Sequence, residues 1–451
     1  KMQIELCFPL EYGILSIYHG TELEISGKMP AVERETIPMV PDFEAKLSEY
    51  ARLLVEVGLN VQPGQTPSIE SNVEYAALTR MCVSACYDCG ARNVVPYFGD
   101  DFTTRESFLR ADGAVFEEYP SYMKARVDWF LEQKSPRLSF TGSNPELLKG
   151  VDPARIQARR KASGPPTKPY FDALTANKFQ WCVGAHPTPA WAEKVFPDKK
   201  GEDAMDALWD AIFSVCRITG DGKAVERWKA HAAAVRRRVE LLNGWQFASL
   251  RYANSLGTDL TVRLPDNHLW AGATDHTPAG VEFLPNIPTE EIFTAPRWDG
   301  VEGRVYAALP LAMDGNLVKD FYLDFRDGRI VDVHAGEGEE YLRRTIDTDE
   351  GAHYLGEVAL VPYDSPIRNT GILFYNTLFD ENASCHLAFG EAYPSCVKGG
   401  EDMSPEEQKA AGLNRSITHV DFMVGTKDLS IVGTTRDGRE IPVFVDGNFA
   451  F

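Results

Sequence analysis

From Pro41 to Asn243 the chain alternates segments of helical period with short apolar runs, and beyond Asn243 almost every patterned segment reads as a strand. No other feature limits the fold as much. Asp42–Val57 places Phe43, Leu47, Tyr50, Leu53, Leu54 and Val57 on one helical stripe. Asn72–Cys89 predicts a second helix, stopped by Gly90 at a natural C-cap position. Asn93–Phe98 predicts a buried strand, Ala125–Gln133 a helix and Arg137–Thr141 a strand. Ala154–Ala162 predicts a short helix ended by Gly164-Pro165-Pro166, followed by a strand over Phe179–Val183. Gly201–Asn243 is helical with a break around Gly220–Gly222. Strands alternating with helices imply α/β layering on a parallel sheet. After Asn243, strands are expected at Asp259–Arg263, Gly303–Ala308, Val318–Phe325, Arg329–Ala335, Val358–Val361, Ile431–Thr435 and Arg439–Val445. Asp327-Gly328 and Asp437-Gly438 separate some of them as hairpin turns do.

The expected architecture is an α/β N-terminal domain with a layered parallel sheet over residues 41–240, followed by a β-rich α+β C-terminal domain over 241–451. Two domains suit 451 residues, too many for one ordinary core. Residues 1–40 scatter Gly, Pro and charge without a period and are expected to form an N-terminal extension.

Charge and apolar runs exclude some classes of function. Lys and Arg total 46 against 66 Asp and Glu, a net charge of −20, which argues against nucleic acid as a partner. No apolar run approaches the roughly 20 residues of a membrane span. The apolar patch Gly13–Tyr18 follows Glu5 and Glu11 and has no basic flank, so it is not read as a signal peptide. A cytoplasmic protein with reduced thiols is expected. Cys82, Cys86 and Cys89 recur at helical spacing without a local fourth ligand, which favours buried core thiols over a zinc site.

The common hydrolase and nucleotide signatures are absent: no H-E-x-x-H, G-x-S-x-G, P-loop or G-x-G-x-x-G occurs. Four quieter elements remain. In Thr418–Val424, a strand would send Val420, Phe422 and Val424 into a core, with His419 and Asp421 side by side on the other face. Such a pair is either a ligand pair for zinc, cobalt or manganese or a simple hydrogen-bonded pair. Glu357 heads the apolar run Val358–Val361 and is either paired, ligated or turned to water. His386 lies among small and apolar residues as a ligand or a buried core histidine, and Tyr393 follows seven residues later. Glu290 and Glu291 are adjacent acids between Pro288 and Pro296, suited to a division into ligand and base or to an exposed loop. Together these supply the carboxylates and imidazoles of a two-metal hydrolytic site.

The same segments resemble the thermophilic-type metallo-aminopeptidase family, which includes aminopeptidases T and S. The matching blocks are N-I-P-T-E-E-I-F-T-A-P (286–296), G-E-V-A-L-V-P-Y (356–363), the 24-residue run 371–394 and S-I-T-H-V-D-F-M-V-G (416–425). Weaker matches fall at 50–65, 143–153 and 187–192. The resemblance implies metal ligands at Glu357, His386, His419, Asp421 and one acid of the P-T-E-E element, taken as Glu291. It implies an active-site tyrosine at Tyr393, two divalent ions per subunit (zinc or cobalt, with manganese as a variant) and a homodimer enclosing a cavity. The substrates would be peptides with a free N-terminus.

The expected chemistry is release of the N-terminal residue, with Glu357 bridging, Glu291 and His386 on one metal, and His419 and Asp421 on the other. Tyr393 would donate to the oxyanion and Glu290 would serve as general base. Two rivals stand beside this reading. A related ring-cleaving dihydroxypyridine dioxygenase would hold one iron with His386, His419 and Asp421. A non-catalytic peptide-binding protein would keep only the fold.

Overall fold

The computed structural model describes residues 40–451, apart from 145, 314 and 315. The N-terminal extension and Cys7 therefore lie outside the described residues, save Val40.

Four parallel strands form the first sheet, in the order Val95–Gly99, Ser68–Asn72, Arg137–Thr141, Trp181–Ala185. The chain lays its second strand on one side of the first and its third on the other. The strand order thus reverses between Ser68–Asn72 and Arg137–Thr141. Helices Phe43–Leu53, Ala76–Asp88, Gly201–Val215 and Ala224–Trp245 supply most of the apolar cover, with Tyr50, Cys82, Phe213 and Trp228 fully or nearly fully buried. Helix starts follow local chemistry: Asp100 accepts the N–H groups of Phe102 and Thr103, and Thr188 accepts that of Trp191 ahead of Pro189.

The second half of the chain is antiparallel. One sheet of nine strands begins with Phe247–Ala253 and includes the hairpin Asn316–Arg326/Arg329–Glu337. A separate sheet of five strands runs His419–Met423, His386–Gly390, Leu355–Leu360, Ile292–Thr294, Ala271–Gly272. A second core of Leu250, Val262, Phe321, Leu387, Phe389 and Phe422 includes residues of both sheets. Ile287, Phe374, Phe379 and Ala383 instead join the core around the parallel sheet. Trp191 ties these parts together, its indole N–H donating to Phe374 O at 2.5 Å.

Several local expectations need correction. Val95–Gly99 is an edge strand with no fully buried residue, although its apolar sequence reads as interior. The start of the expected helix at Asn72 is instead the end of a strand, and the helix begins at Ala76. The helix expected to end at Gly164-Pro165-Pro166 runs unbroken from Pro153 to Thr175. Three internal prolines each remove an N–H donor. Packing offsets this: Tyr170 and Leu174 anchor the far end against Phe130 and Phe179. Cys82, Cys86, Cys182, Cys216, Cys385 and Cys396 are buried free thiols and Cys89 is half-buried. Among the described residues no helix is long and apolar enough to cross a membrane.

Candidate metal centre

The five-stranded sheet gathers acids and imidazoles by register. Glu357 pairs with Ala388, and Ala388 with Asp421, so these side chains form one row across three strands. His386 is two residues before Ala388 and His419 two before Asp421, which puts both imidazoles on the face of that row. Phe293 pairs with Ala359, and Ala359 with His386, so Glu291, two residues before Phe293, enters from the same side. The alternate residues Val358, Leu360, Leu387, Phe389, Val420 and Phe422 point the other way and are buried in the core. Ala388 leaves open the space between the two acids that flank it.

Two backbone features allow this register. A bulge at Gly356 shifts the pairing between Leu355 and Glu357, and a Cβ at Gly356 would lie 2.3 Å from Glu391 O. Gly390 has φ 113°, and a Cβ there would stand 2.1 Å from Thr418 O, beside its partner His419.

Ligand atoms converge in two groups, Glu291/Glu357/His386 and Glu357/His419/Asp421, each with its atoms within 4.8 Å of one another. Glu357 belongs to both. Its Oε1 is 3.5 Å from His386 Nε2 and its Oε2 is 3.7 Å from His419 Nε2. Glu291 Oε2 lies 3.5 Å from His386 Nε2, and Asp421 Oδ1 lies 3.3 Å from His419 Nε2. Each imidazole is oriented from behind by a carbonyl: His386 Nδ1 donates to Ser384 O at 3.0 Å and His419 Nδ1 to Glu391 O at 2.8 Å. A carbonyl only accepts, so Nδ1 carries the proton and Nε2 is turned to the acids, the orientation of a metal-binding histidine.

The electrostatics favour added positive charge. Burial opposes a charged His386, but Glu357, Glu291 and Asp421 overcome it and push the imidazole up to about 10. Burial likewise opposes charge on His419, and Asp421 and Glu357 push it up to about 9. Burial, with the charges of Glu357 and Asp421, raises Glu291 to about 7. Only Asp421 is held below the usual carboxylate range despite its burial, by its bond to His419 and the charges of His419 and His386. The cluster's donor set of carboxylates and paired imidazoles fits divalent zinc, cobalt or manganese.

Two further residues adjoin the cluster. Tyr393, 45% exposed, stacks at a tilt on His419, ring centroids 5.4 Å apart, and partial desolvation of its hydroxyl together with the charges of Glu357 and Asp421 pushes the phenol above its ordinary value. Glu381 carries no role in the sequence reading, yet burial and the charges of Glu291, Asp421 and Glu357 raise its carboxyl well above the usual range. Its one sequence signal is an acid five residues before His386, in the polar stretch Asp380-Glu381-Asn382. Glu290 is engaged elsewhere: Oε1 lies 2.6 Å from Arg217 Nη2 and Oε2 3.6 Å from His231 Nε2, and the residue is buried. The two adjacent acids therefore part, Glu291 joining the cluster and Glu290 the arginine.

Comparison with known proteins supplies a family context. Residues 43–449 match the family described as thermophilic metalloprotease (M29). Aminopeptidase AmpS of Bacillus subtilis is 46% identical over 409 residues, covering 91% of this chain and 99% of that protein. The structure of wild-type AmpT from Thermus thermophilus superimposes with a TM-score of 0.84 at 37% identity, over 91% of this chain and 100% of that one. The 2,5-dihydroxypyridine dioxygenase of Pseudomonas putida KT2440 superimposes with a TM-score of 0.51 at 12% identity, over 91% of this chain and 98% of that one, a likeness of fold alone.

Proposed function

The chain belongs to the thermophilic metalloprotease (M29) family, and from that premise we propose that it is a metal-dependent aminopeptidase, a hydrolase that removes the N-terminal residue of peptides. The observation that carries the two-metal form of this reading is Glu357, whose two oxygens face two different imidazoles. Glu291 and His386 would complete one site, His419 and Asp421 the other. Two divalent ions held there, zinc or cobalt with manganese also suited, would supply Lewis acidity and a hydroxide nucleophile near neutral pH.

The protein's own groups account for the rest. Glu381 is assigned as general base in place of Glu290, because Glu290 is spent on Arg217 while Glu381 borders the cluster. It would take the proton lost by the attacking water and return it to the departing amine. The Tyr393 hydroxyl, held protonated, would donate to the oxygen that gains charge as the carbonyl becomes tetrahedral. A free α-amine would bind one of the ions or a carboxylate beside them that is not a ligand, such as Glu381, which would account for action at the N-terminus. The reading extends to a cytoplasmic homodimer and to two domains divided near residue 240, within the last turns of helix Ala224–Trp245, which gives way to strand Phe247–Ala253.

The single-iron alternative needs only His386, His419 and Asp421. Glu291 and Glu357, both within 3.5 Å of His386 Nε2, favour two cations over one. The deciding experiment is hydrolysis of a panel of aminoacyl-p-nitroanilides, before and after chelation, with zinc, cobalt, manganese and iron added back. Activity lost to chelator and restored by zinc, cobalt or manganese is expected. Oxygen uptake restored by iron alone would replace this reading with the oxygenase.

A further inference from the structure

A cavity of about 780 Å³ opens at the carboxyl ends of the parallel strands. Ser71 and Asn72 border it from one strand, Ser139 and Thr141 from the next. These are the two strands between which the strand order reverses. In open α/β sheets such a crevice is where ligands bind. Its wall also includes Glu381, the acid that adjoins the metal cluster, so the cavity leads to the site of cleavage.

Resting on the aminopeptidase reading, we propose that this crevice binds the leaving portion of the substrate, the residues downstream of the scissile bond, and favours basic side chains there. An aminopeptidase has a single residue upstream of the bond it cuts. Every further residue must lie on the downstream side. A volume of this size matches the roughly 300–1,000 Å³ that encloses a drug-sized ligand, several peptide units rather than one side chain.

The wall has the chemistry for that occupant. Among the described residues four acids line it, Glu70, Asp100, Asp101 and Glu381, against one cation, Arg137. Arg137 is committed to Glu70, its Nε 3.0 Å from Oε2. Asp101 accepts only neutral donors, the Asn72 amide at 3.0 Å and the Asn144 N–H at 3.3 Å, and Asp100 accepts N–H groups of its own helix. Hydrogen bonds satisfy their oxygens but, among the described residues, leave their charges without a counter-ion. The second, independent sign of a ligand is Tyr75. The residue is 2% exposed and lines the cavity, yet its hydroxyl, though near the Ser143 side chain, has no hydrogen-bond partner among the described residues. A buried hydroxyl left unpaired is costly, and a peptide carbonyl or N–H entering the crevice would satisfy it.

The test uses the full metal-loaded chain and two tripeptides that share the best N-terminal residue from the anilide panel, one with Lys and one with Glu in second place. The Lys peptide is expected to have the higher kcat/KM by about tenfold at low salt, with the ratio shrinking as salt rises. Asp101→Asn keeps the side-chain shape and should reduce that ratio by about threefold or more. Tyr75→Phe should raise KM for tripeptides without loss of thermal stability. Glu340→Gln, on the exposed face of helix Glu339–Ile346 and outside the cavity wall, should leave the ratio unchanged. Fluorescence anisotropy of a dye-labelled Lys-Ala-Lys peptide gives a readout that needs no turnover, and Asp101→Asn should weaken its binding. Cleavage of anilides with equal use of Lys and Glu peptides, or a preference that survives Asp101→Asn, would overturn the crevice assignment alone. Absence of cleavage with every metal, alongside binding that depends on Asp101, would overturn the aminopeptidase reading, and the downstream-subsite role with it, while keeping the crevice as a basic-peptide site.

Discussion

Arg217 Nη2 lies 2.6 Å from Glu290 Oε1, and both side chains are largely shielded from water. The contact decides the fate of one of two adjacent acids. Removing one partner of a buried ion pair strands the other charge and costs about 3–5 kcal/mol. Arg217→Ala should therefore lower the unfolding free energy in urea by about that amount. Glu290→Gln should keep kcat within about threefold of the parent once metal-loaded and folded. A hundredfold fall in kcat with fold and metal content intact would return the role of base to Glu290.

Glu357 faces both imidazoles, so its removal should empty both halves of the centre. Glu357→Gln is expected to bind fewer ions by elemental analysis and to lose more than about 100-fold in kcat/KM. His419→Ala should lose at least one ion per chain. Near-normal turnover in Glu357→Gln would remove this residue from the site.

Glu381→Gln separates proton transfer from metal binding. Elemental analysis should find the full metal complement, while kcat falls by about 100- to 10,000-fold, the usual contribution of a general base. Loss of metal together with activity would make Glu381 a ligand instead.

Two histidines outside the centre set an acid limit on stability. Burial depresses His186 from 6.5 to about 4 against the pull of its bond to Pro187 O, and burial does the same to His268 despite its bond to Pro265 O. The unfolded chain takes up these protons first, as pH falls below 6.5, while the folded chain resists until about 4. Stability is therefore present above 6.5 and lost progressively down to 4, by up to about 3 kcal/mol for each residue. Urea midpoints measured across that window should fall with pH. His186→Gln should flatten the slope, and an unchanged slope would contradict the buried neutral form.

Much of the centre is legible in the sequence because strands alternate. Val420, Phe422 and Val424 predict one buried face, and His419 and Asp421 fall on the other by arithmetic of two. The family resemblance asks for one acid of the P-T-E-E element but does not choose between Glu290 and Glu291, and no local pattern chooses either, since neighbours on an extended chain face opposite ways. The structure adds what selects between them physically, the guanidinium of Arg217, which comes from 73 residues away in sequence. Glu381 is missed because its importance depends on charges drawn from other strands. The edge strand Val95–Gly99 is misread as interior for a related reason: an apolar run reports affinity for a core but not position within a sheet. The long helix through Pro165, Pro166 and Pro169 defeats the local breaker rule because packing of Tyr170 and Leu174 outweighs it.

The strand His419–Met423 sits at the rim of its five-stranded sheet and supplies two of the five converging side chains. In chain order Glu291, Glu357 and His386 precede His419 and Asp421, which are the last two of the five to be synthesised. Until that rim strand zips into register, half of the centre does not exist. The centre is thus assembled across this sheet, and its second triad is complete only when the last of the five strands in chain order is paired.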